Sequence, residues 1–136
     1  MSKFIIVFTF CCILVFALVL ESNKSNLWQK WNSTVLKASK SKGNLILLKV
    51  VRDGCHYCSE MERDVFNDPS VNAFVRSHFI PVKVNISHET MPLGLEALMT
   101  PSFYFINSEK KIIKRVLGAY TRDDFNAIMR NIIKAQ

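Results

Sequence analysis

The sequence predicts a small α/β domain with a mixed central sheet of about four strands flanked by helices. Three observations support this fold class. Helix-like segments alternate with the first apolar runs of strand length. A strand pair joined by a short turn and one amphipathic helix then close the chain, which is the element order of a mixed sheet. The 136 residues are enough for one domain.

An N-terminal segment, residues 1–22, is set apart from this domain. Lys3 is followed by an uncharged apolar run over residues 4–20 and then by a polar stretch. The pattern is typical of a secretory signal peptide or of a short membrane anchor, and both interpretations stay open. In either case we expect the domain, residues 23–136, to be exported. It would be periplasmic or otherwise extracytoplasmic, either secreted or tethered to the inner membrane through residues 4–20.

Hydrophobic spacing and helix caps predict the elements of the first half. A first helix is expected to place its apolar residues on one face and to end at Gly43: Leu27, Trp28, Trp31, Val35 and Ala38. Leu45–Val51 is a nearly continuous apolar run, as expected of a strand buried on both faces. The helix that follows runs to about Phe66.

The second half begins with a helix that has Asp68 as N-cap and Pro69 at its first position. A strand over Ile80–Ile86 and a short helical connection over Leu93–Met99 follow. The closing elements are a hairpin and a helix: strands at Ser102–Asn107 and Ile112–Leu117, and a helix capped by Thr121 with Asp124 returning the capping bond.

Two cysteines, Cys55 and Cys58, lie at the start of the helix after the first strand. The two residues between them bring the second thiol one helical turn from the first, close enough to form a disulfide. Unpaired N–H groups and the partial positive charge at a helix N-terminus favour the thiolate of Cys55. We therefore expect a redox centre in which Cys55 is the exposed attacking sulfur and Cys58 resolves the intermediate. Such a centre needs no dissociable cofactor.

Other uses of a CxxC pair fit this sequence less well. A structural zinc ion usually takes four Cys or His ligands, but no second CxxC follows, and His78 and His88 fall in separate predicted elements, so no metal is expected. Haem attachment requires His directly after Cys58, where Ser59 stands. A disulfide that closes so short a loop constrains little of the unfolded chain, which favours chemistry over a structural role.

The net charge is +7, and the basic residues are scattered. They are not interleaved with aromatic residues in the pattern of a nucleic-acid interface, so no nucleic-acid partner is expected. Solvated faces, with weaker attraction to an anionic membrane, account for this charge.

The order of elements over residues 27–134, together with one motif, resembles the thioredoxin-like superfamily. The motif is C-x-x-C-x-x-M-E-x-x-V-F-x-D-P-x-V, running from Cys55 to Val71, and Thr100-Pro101 and Gly118-Ala-Tyr add to it. The branch it resembles comprises exported thioredoxin-like proteins related to the C-terminal domain of DsbD and to SoxW-type thioredoxins. The resemblance implies a thioredoxin-like fold and a protein thiol–disulfide oxidoreductase.

The same resemblance assigns residues around the cysteines. It implies that Pro101 is a cis-proline beside the CxxC, where the adjoining backbone and Thr100 bind an extended substrate segment. A threonine immediately before that proline, here Thr100, and a tyrosine just before the second cysteine, here Tyr57, are also seen in periplasmic disulfide isomerases. Tyr57 is expected to tune the redox centre together with His56 and Lys49. Those isomerases carry a dimerisation domain for which this chain has no room. A monomer is therefore expected. Its partners would be protein disulfides or dithiols and a membrane or soluble electron donor.

Several positions depart from the family pattern or leave alternatives open. Where many thioredoxins have a buried Asp, this chain has Lys49, which is either a strand residue turned to solvent or a cation beneath Cys58 that tunes the redox potential. Where the family commonly has Trp before the first cysteine, it has Gly54. His56 either stabilises the thiolate, as a nearby imidazolium would, or is an exposed spacer. Glu60 and Glu62 are expected on a solvated helix face.

Three other functions also remain open. A non-catalytic binding module with the same fold would show no reductase activity. A thiol-based metallochaperone would hold a thiophilic ion on Cys55 and Cys58. An isomerase would require a dimer.

Overall fold

The computed structural model describes residues 26–136, which contain a four-stranded mixed sheet in the order β2-β1-β3-β4. The strands are β1 (Leu45–Val51), β2 (Phe79–Asn85), β3 (Ser102–Ile106) and β4 (Ile112–Leu117). β1 and β2 are parallel, whereas the β1–β3 and β3–β4 pairs are antiparallel. The predicted fold class is confirmed. The predicted export segment, residues 1–22, lies outside the described residues.

The helices begin and end at identifiable caps. They are α1 (Ser33–Lys42), α2 (His56–Met61) continued by a π-helical turn (Glu62–Phe66), α3 (Pro69–His78) and α4 (Arg122–Lys134). Asp68 caps α3 by accepting hydrogen bonds from the Ser70 and Val71 N–H groups, and Thr121 caps α4 by accepting one from Asp124. Both cap residues are as predicted, although the Asp124 carboxylate accepts from the Thr121 hydroxyl at 2.7 Å and not from its backbone N–H group.

The segment before α1 differs from its prediction, because the helix does not include Leu27, Trp28 or Trp31. Asn32 caps α1 by accepting a hydrogen bond from the Thr34 N–H group at 2.8 Å. Upstream, the Gln29 N–H group donates to Pro81 O at 3.2 Å, and Gln29 O accepts from the Lys83 N–H group at 3.0 Å. The free edge of β2 thus provides backbone partners that keep this stretch extended, and the predicted helical face is wrong there.

The connection before β3 also differs from its prediction. Of the expected helix over Leu93–Met99, only a 3₁₀ turn at Pro92–Gly94 forms. Leu93 lies in the left-handed region with φ of 57°, which interrupts helical geometry. The stretch is held instead by tertiary contact, because the buried Tyr104 hydroxyl donates to Glu96 O at 2.7 Å.

Two cores lie on opposite faces of the sheet. One includes Leu45 and Leu47 of β1 with residues from α2 to α4, and the other includes the alternate β1 residues with Val35 of α1. β1 is therefore covered on both faces, as its apolar run predicts. Lys49 shares the face of Leu45 and Leu47, and this places a charged residue of the strand towards the α2 side.

Candidate redox site

Cys55 and Cys58 form a disulfide with a Cα–Cα distance of 5.3 Å. β1 ends at Val51, and a turn containing Gly54 at φ of +67° directs the chain into α2. Cys55 is the N-cap residue of that helix, and the Cys58 N–H group donates to its Sγ at 3.2 Å. The same hydrogen bond would stabilise a thiolate at Cys55 once the disulfide is reduced.

Burial does not distinguish the two sulfur-bearing residues. Cys55 is 8% exposed and Cys58 is 7% exposed. The expectation that Cys55 is the exposed member of the pair is therefore not met in the disulfide form. What separates them is position, since Cys55 precedes the helix and Cys58 lies in its first turn.

Lys49 is buried, with 1% of its surface exposed, so the interpretation that it turns to solvent is wrong. Its ammonium group forms an ion pair with Glu62 and lies 4.8 Å from the Trp28 ring centroid and 4.7 Å from that of Phe66. Burial lowers the pKa of Lys49, and repulsion from Lys83 acts in the same direction, whereas Glu62 opposes the shift.

Glu62 is a residue whose role sequence reasoning missed, because it was assigned to a solvated face. Its carboxylate oxygens accept hydrogen bonds from Trp28 Nε1 at 3.2 and 3.1 Å in addition to the Lys49 contact. A signal was available in the spacing: Glu62 follows Cys58 by four residues, which places both on one side of a helix. The partner of Glu62 is Lys49, the charged residue of β1.

An open cleft of about 560 Å³ adjoins the disulfide. Both cysteines line it, and the structure also brings Lys49, His56 and Glu62 to its wall. Its remaining lining residues are Val51, Arg52, Gly54, Ser59 and Lys83. Of the sequence-predicted tuning residues, Tyr57 is not part of this wall and is 60% exposed.

His56 contacts a carboxylate of its own helix. Its Nε2 atom lies 3.0 Å from Glu60 Oε1, and the side chain is largely exposed. The imidazole ring also packs edge-on against Tyr57, with 5.7 Å between ring centroids. His56 thus contacts Glu60, an i,i+4 neighbour, and this contact competes with any direct role of the imidazole at the sulfurs.

Pro101 and Thr100 lie at the same end of the sheet as the cysteines but do not line the cleft. The Thr100–Pro101 bond is cis, as the resemblance implies. Pro101 immediately precedes Ser102, which pairs with Val50 near the end of β1. Pro101 O accepts a hydrogen bond from the Gly118 N–H group at 2.9 Å, which ties this turn to the end of β4.

Two further findings concern residues 26–136. They contain no group of three or more His, Cys, Asp or Glu side chains arranged to hold a metal ion. No helix in this part of the chain is long and apolar enough to cross a membrane.

A thioredoxin-like fold with a disulfide-bonded CxxC pair at a helix N-terminus defines the class of this protein. Residues 17–100 match the family model Thioredox_DsbH, described as "Protein of unknown function, DUF255", and the chain belongs to that family. The predicted membership of the thioredoxin-like superfamily is confirmed. No curated protein matches the chain.

Solved structures share this fold at low sequence identity. A thioredoxin from Thermus thermophilus superposes with a TM-score of 0.64 at 22% identity, covering 78% of this chain and 85% of its own. The oxidised C-terminal domain of Neisseria meningitidis DsbD gives 0.57 at 20% identity, covering 73% and 90%. The periplasmic thioredoxin SoxS from Paracoccus pantotrophus gives 0.53 at 24% identity, covering 68% and 100%.

Proposed function

We propose that this protein is an extracytoplasmic thiol–disulfide oxidoreductase that reduces disulfides in partner proteins. The Cys55 thiolate attacks a sulfur of the partner's disulfide, which forms a mixed disulfide and releases one partner thiolate. The Cys58 thiolate then attacks Cys55 Sγ, which forms the internal disulfide and releases the second partner thiolate. Two electrons pass to the partner, and a dithiol donor must return the Cys55–Cys58 pair to its reduced form.

The observation that carries this proposal is the position of the disulfide. Cys55 caps α2 and accepts the Cys58 N–H bond, and the pair adjoins an open cleft instead of lying sealed in a core. A disulfide that joins residues three apart adds little stability by constraining the unfolded chain. Reversible chemistry is the function that this arrangement supports best.

Placement outside the cytoplasm rests on two supports. The apolar run at residues 4–20 has the pattern of an export signal or anchor. A structural neighbour, SoxS, is described as a periplasmic thioredoxin. In this setting Thr100 and Pro101 would contact an extended segment of the partner, and the protein would act as a monomer recharged by a membrane or soluble donor.

Reductase activity of the purified full-length protein tests the proposal. With dithiothreitol as donor, the protein should accelerate reduction of a protein disulfide, and Cys55→Ser should abolish the acceleration. Reduced Cys58→Ser protein that has been freed of dithiothreitol should instead accumulate a mixed disulfide with the substrate, which non-reducing electrophoresis detects, because neither Cys58 nor dithiothreitol is present to resolve it. Wild-type protein that gives no acceleration would contradict the proposal and favour a non-catalytic binding module.

The same preparation separates the remaining alternatives. A stoichiometric thiophilic ion bound to the reduced protein, and lost in both cysteine variants, would favour a metallochaperone. A dimer in solution that reshuffles scrambled disulfides would favour an isomerase.

A further inference from the structure

The cleft beside the disulfide carries an excess of positive charge. Its wall contains three basic side chains, Lys49, Arg52 and Lys83, and one carboxylate, Glu62. Lys49 and Lys83 are cross-strand neighbours on β1 and β2, so their side chains emerge on the same face of the sheet.

The single carboxylate of this wall is already engaged. Glu62 pairs with Lys49, and each of its two carboxylate oxygens accepts a hydrogen bond from Trp28 Nε1. Both oxygens therefore already have a partner. Asp53, the acidic residue next to Arg52 in sequence, is engaged as well: it accepts from Asn85 at 2.7 Å and lies 2.6 Å from His88. Among residues 26–136, no carboxylate forms an ion pair with Arg52 or Lys83.

We propose that Arg52 and Lys83 select partner segments that carry carboxylates next to the reactive cysteine. This inference rests on the proposed thiol–disulfide exchange and names the class of substrate that it favours. An acidic side chain near the attacked sulfur would enter the cleft and supply the carboxylate partner that Arg52 and Lys83 lack among the described residues. A basic side chain would meet two unpaired cations and be repelled.

Electrostatic focusing explains why this matters for rate. A cleft lined by charges of one sign raises the local concentration of a ligand of opposite sign, and salt weakens the effect. The charge lies in the wall that also contains Cys55 and Cys58, so a partner attracted there arrives at the sulfurs.

A single-turnover experiment tests this proposal. The full-length protein is reduced, freed of reductant and mixed with three disulfide peptides of equal length whose residues flanking the cysteine are Glu, Gln or Lys. Each rate is divided by the rate of the same peptide with dithiothreitol, because flanking charge also changes the reactivity of the peptide's own sulfur. We expect the Glu peptide to react roughly three- to tenfold faster than the Gln peptide, and the Lys peptide to react slower.

Matched variants locate the effect. Arg52→Gln and Lys83→Gln should each reduce the preference for the Glu peptide, and raising the salt concentration should reduce it in the wild type. Lys114→Gln makes the same change in net charge on β4, at the opposite edge of the sheet from β2, and should keep the preference.

Each contrary outcome has a distinct meaning. Equal normalised rates for the three peptides would overturn the inference while leaving the proposed exchange intact. The preference for the Glu peptide could also stay unchanged in Arg52→Gln and Lys83→Gln, or be lost equally in Lys114→Gln. Either result would show that the preference comes from the overall charge of the protein, and would overturn the role of the cleft. Absence of reduction with all three peptides would contradict the proposed exchange itself, and the inference with it.

Discussion

The ammonium group of Lys49 contacts the carboxylate of Glu62 within the wall of the cleft that holds the Cys55–Cys58 disulfide. Trp28 stabilises the pair from two directions, since its ring faces the ammonium group and its N–H group donates to the carboxylate. The cation is almost fully buried and the carboxylate is about one-third exposed. The charges of Lys49 and Glu62 should therefore change the stability of the reduced, thiolate form of the cysteines relative to the disulfide.

Replacing the buried cation tests that influence. Lys49→Met should lower the reduction potential by roughly 30 mV, equivalent to about 1.4 kcal/mol for a two-electron couple, and should raise the pKa of Cys58. The reason is that a nearby cation stabilises thiolate in the reduced form, and stabilising the reduced form raises the potential. Equilibration with a glutathione buffer measures the potential. If neither the potential nor the pKa of Cys58 changes, Lys49 has no part in the chemistry.

The opposite change should have the opposite sign. Glu62→Gln removes the anion and retains the bulk of the side chain, so the potential should rise. The double variant Lys49→Met/Glu62→Gln should lie between the two single variants, because it removes both charges. In urea unfolding it should lose less stability than the two single losses added together, since breaking one partner of a buried pair leaves the other uncompensated. Strict additivity would show that the two side chains are not coupled.

The helix cap predicts unequal reactivity of the two thiols. In the reduced protein, iodoacetamide at mildly acidic pH should label Cys55 well ahead of Cys58, because the Cys58 N–H group stabilises a thiolate at Cys55. Mass spectrometry of the quenched reaction identifies the labelled residue. Equal labelling, or faster labelling of Cys58, would reverse the assigned roles.

The cap of α3 predicts a pH dependence of stability. The Ser70 hydroxyl and Val71 N–H group, with a contribution from Arg122, lower the pKa of Asp68 from 3.8 to about 2. A group whose pKa is lower in the folded state stabilises the protein above its unfolded pKa and loses that contribution as pH falls through the folded value.

Asp68→Asn keeps an acceptor but loses the charge, so it should be less stable than the wild type at pH 7. The difference in the free energy of unfolding between wild type and variant should narrow as the pH falls from 3.8 to about 2. Denaturant titrations at several pH values measure it. Glu109→Gln, which removes an exposed carboxylate in the β3–β4 turn, should show no such narrowing. A gap that is constant with pH would contradict the assigned charge effect.

Two buried serines should respond oppositely to the loss of their hydroxyl groups. Ser102 Oγ has no hydrogen-bond partner among the described residues, so Ser102→Ala should raise the free energy of unfolding by up to about 1 kcal/mol. Ser39 Oγ donates to Asn44 O at 2.6 Å, so Ser39→Ala should lower it by about 1 kcal/mol. Urea unfolding compares them. Destabilisation by Ser102→Ala would show that its hydroxyl is bonded in solution.

Much of this fold could be predicted because its signals are local. The apolar run of β1, the Asp68-Pro69 start of α3 and the Thr121 cap of α4 each depend on neighbours in sequence, and each lies where it was predicted. The cysteine spacing likewise predicts the disulfide that forms.

What could not be predicted depends on partners distant in sequence. The extended stretch around Gln29 follows from the free edge of β2, more than fifty residues away. The environment of Lys49 follows from Trp28, Glu62 and Phe66, which surround one ammonium group only after folding. The apolar run of β1 indicates a strand covered on both faces, but it cannot identify the distant residue that supplies the anion for a buried lysine.

The π-helical turn after α2 adds one residue to a continuous helix, and so sets how the helix is rotated towards the redox site and towards the core. The Asn67 N–H group reaches back five residues to Glu62 O, which marks the extra residue in this turn. A regular α-helix turns about 100° per residue, so removing one residue here would rotate everything downstream by that angle relative to the cysteines. Glu62 stays in phase with Cys58, while Val65 and Phe66 stay in phase with the core. Deleting one residue here should therefore disrupt either the Glu62–Lys49 contact or the packing of Val65 and Phe66.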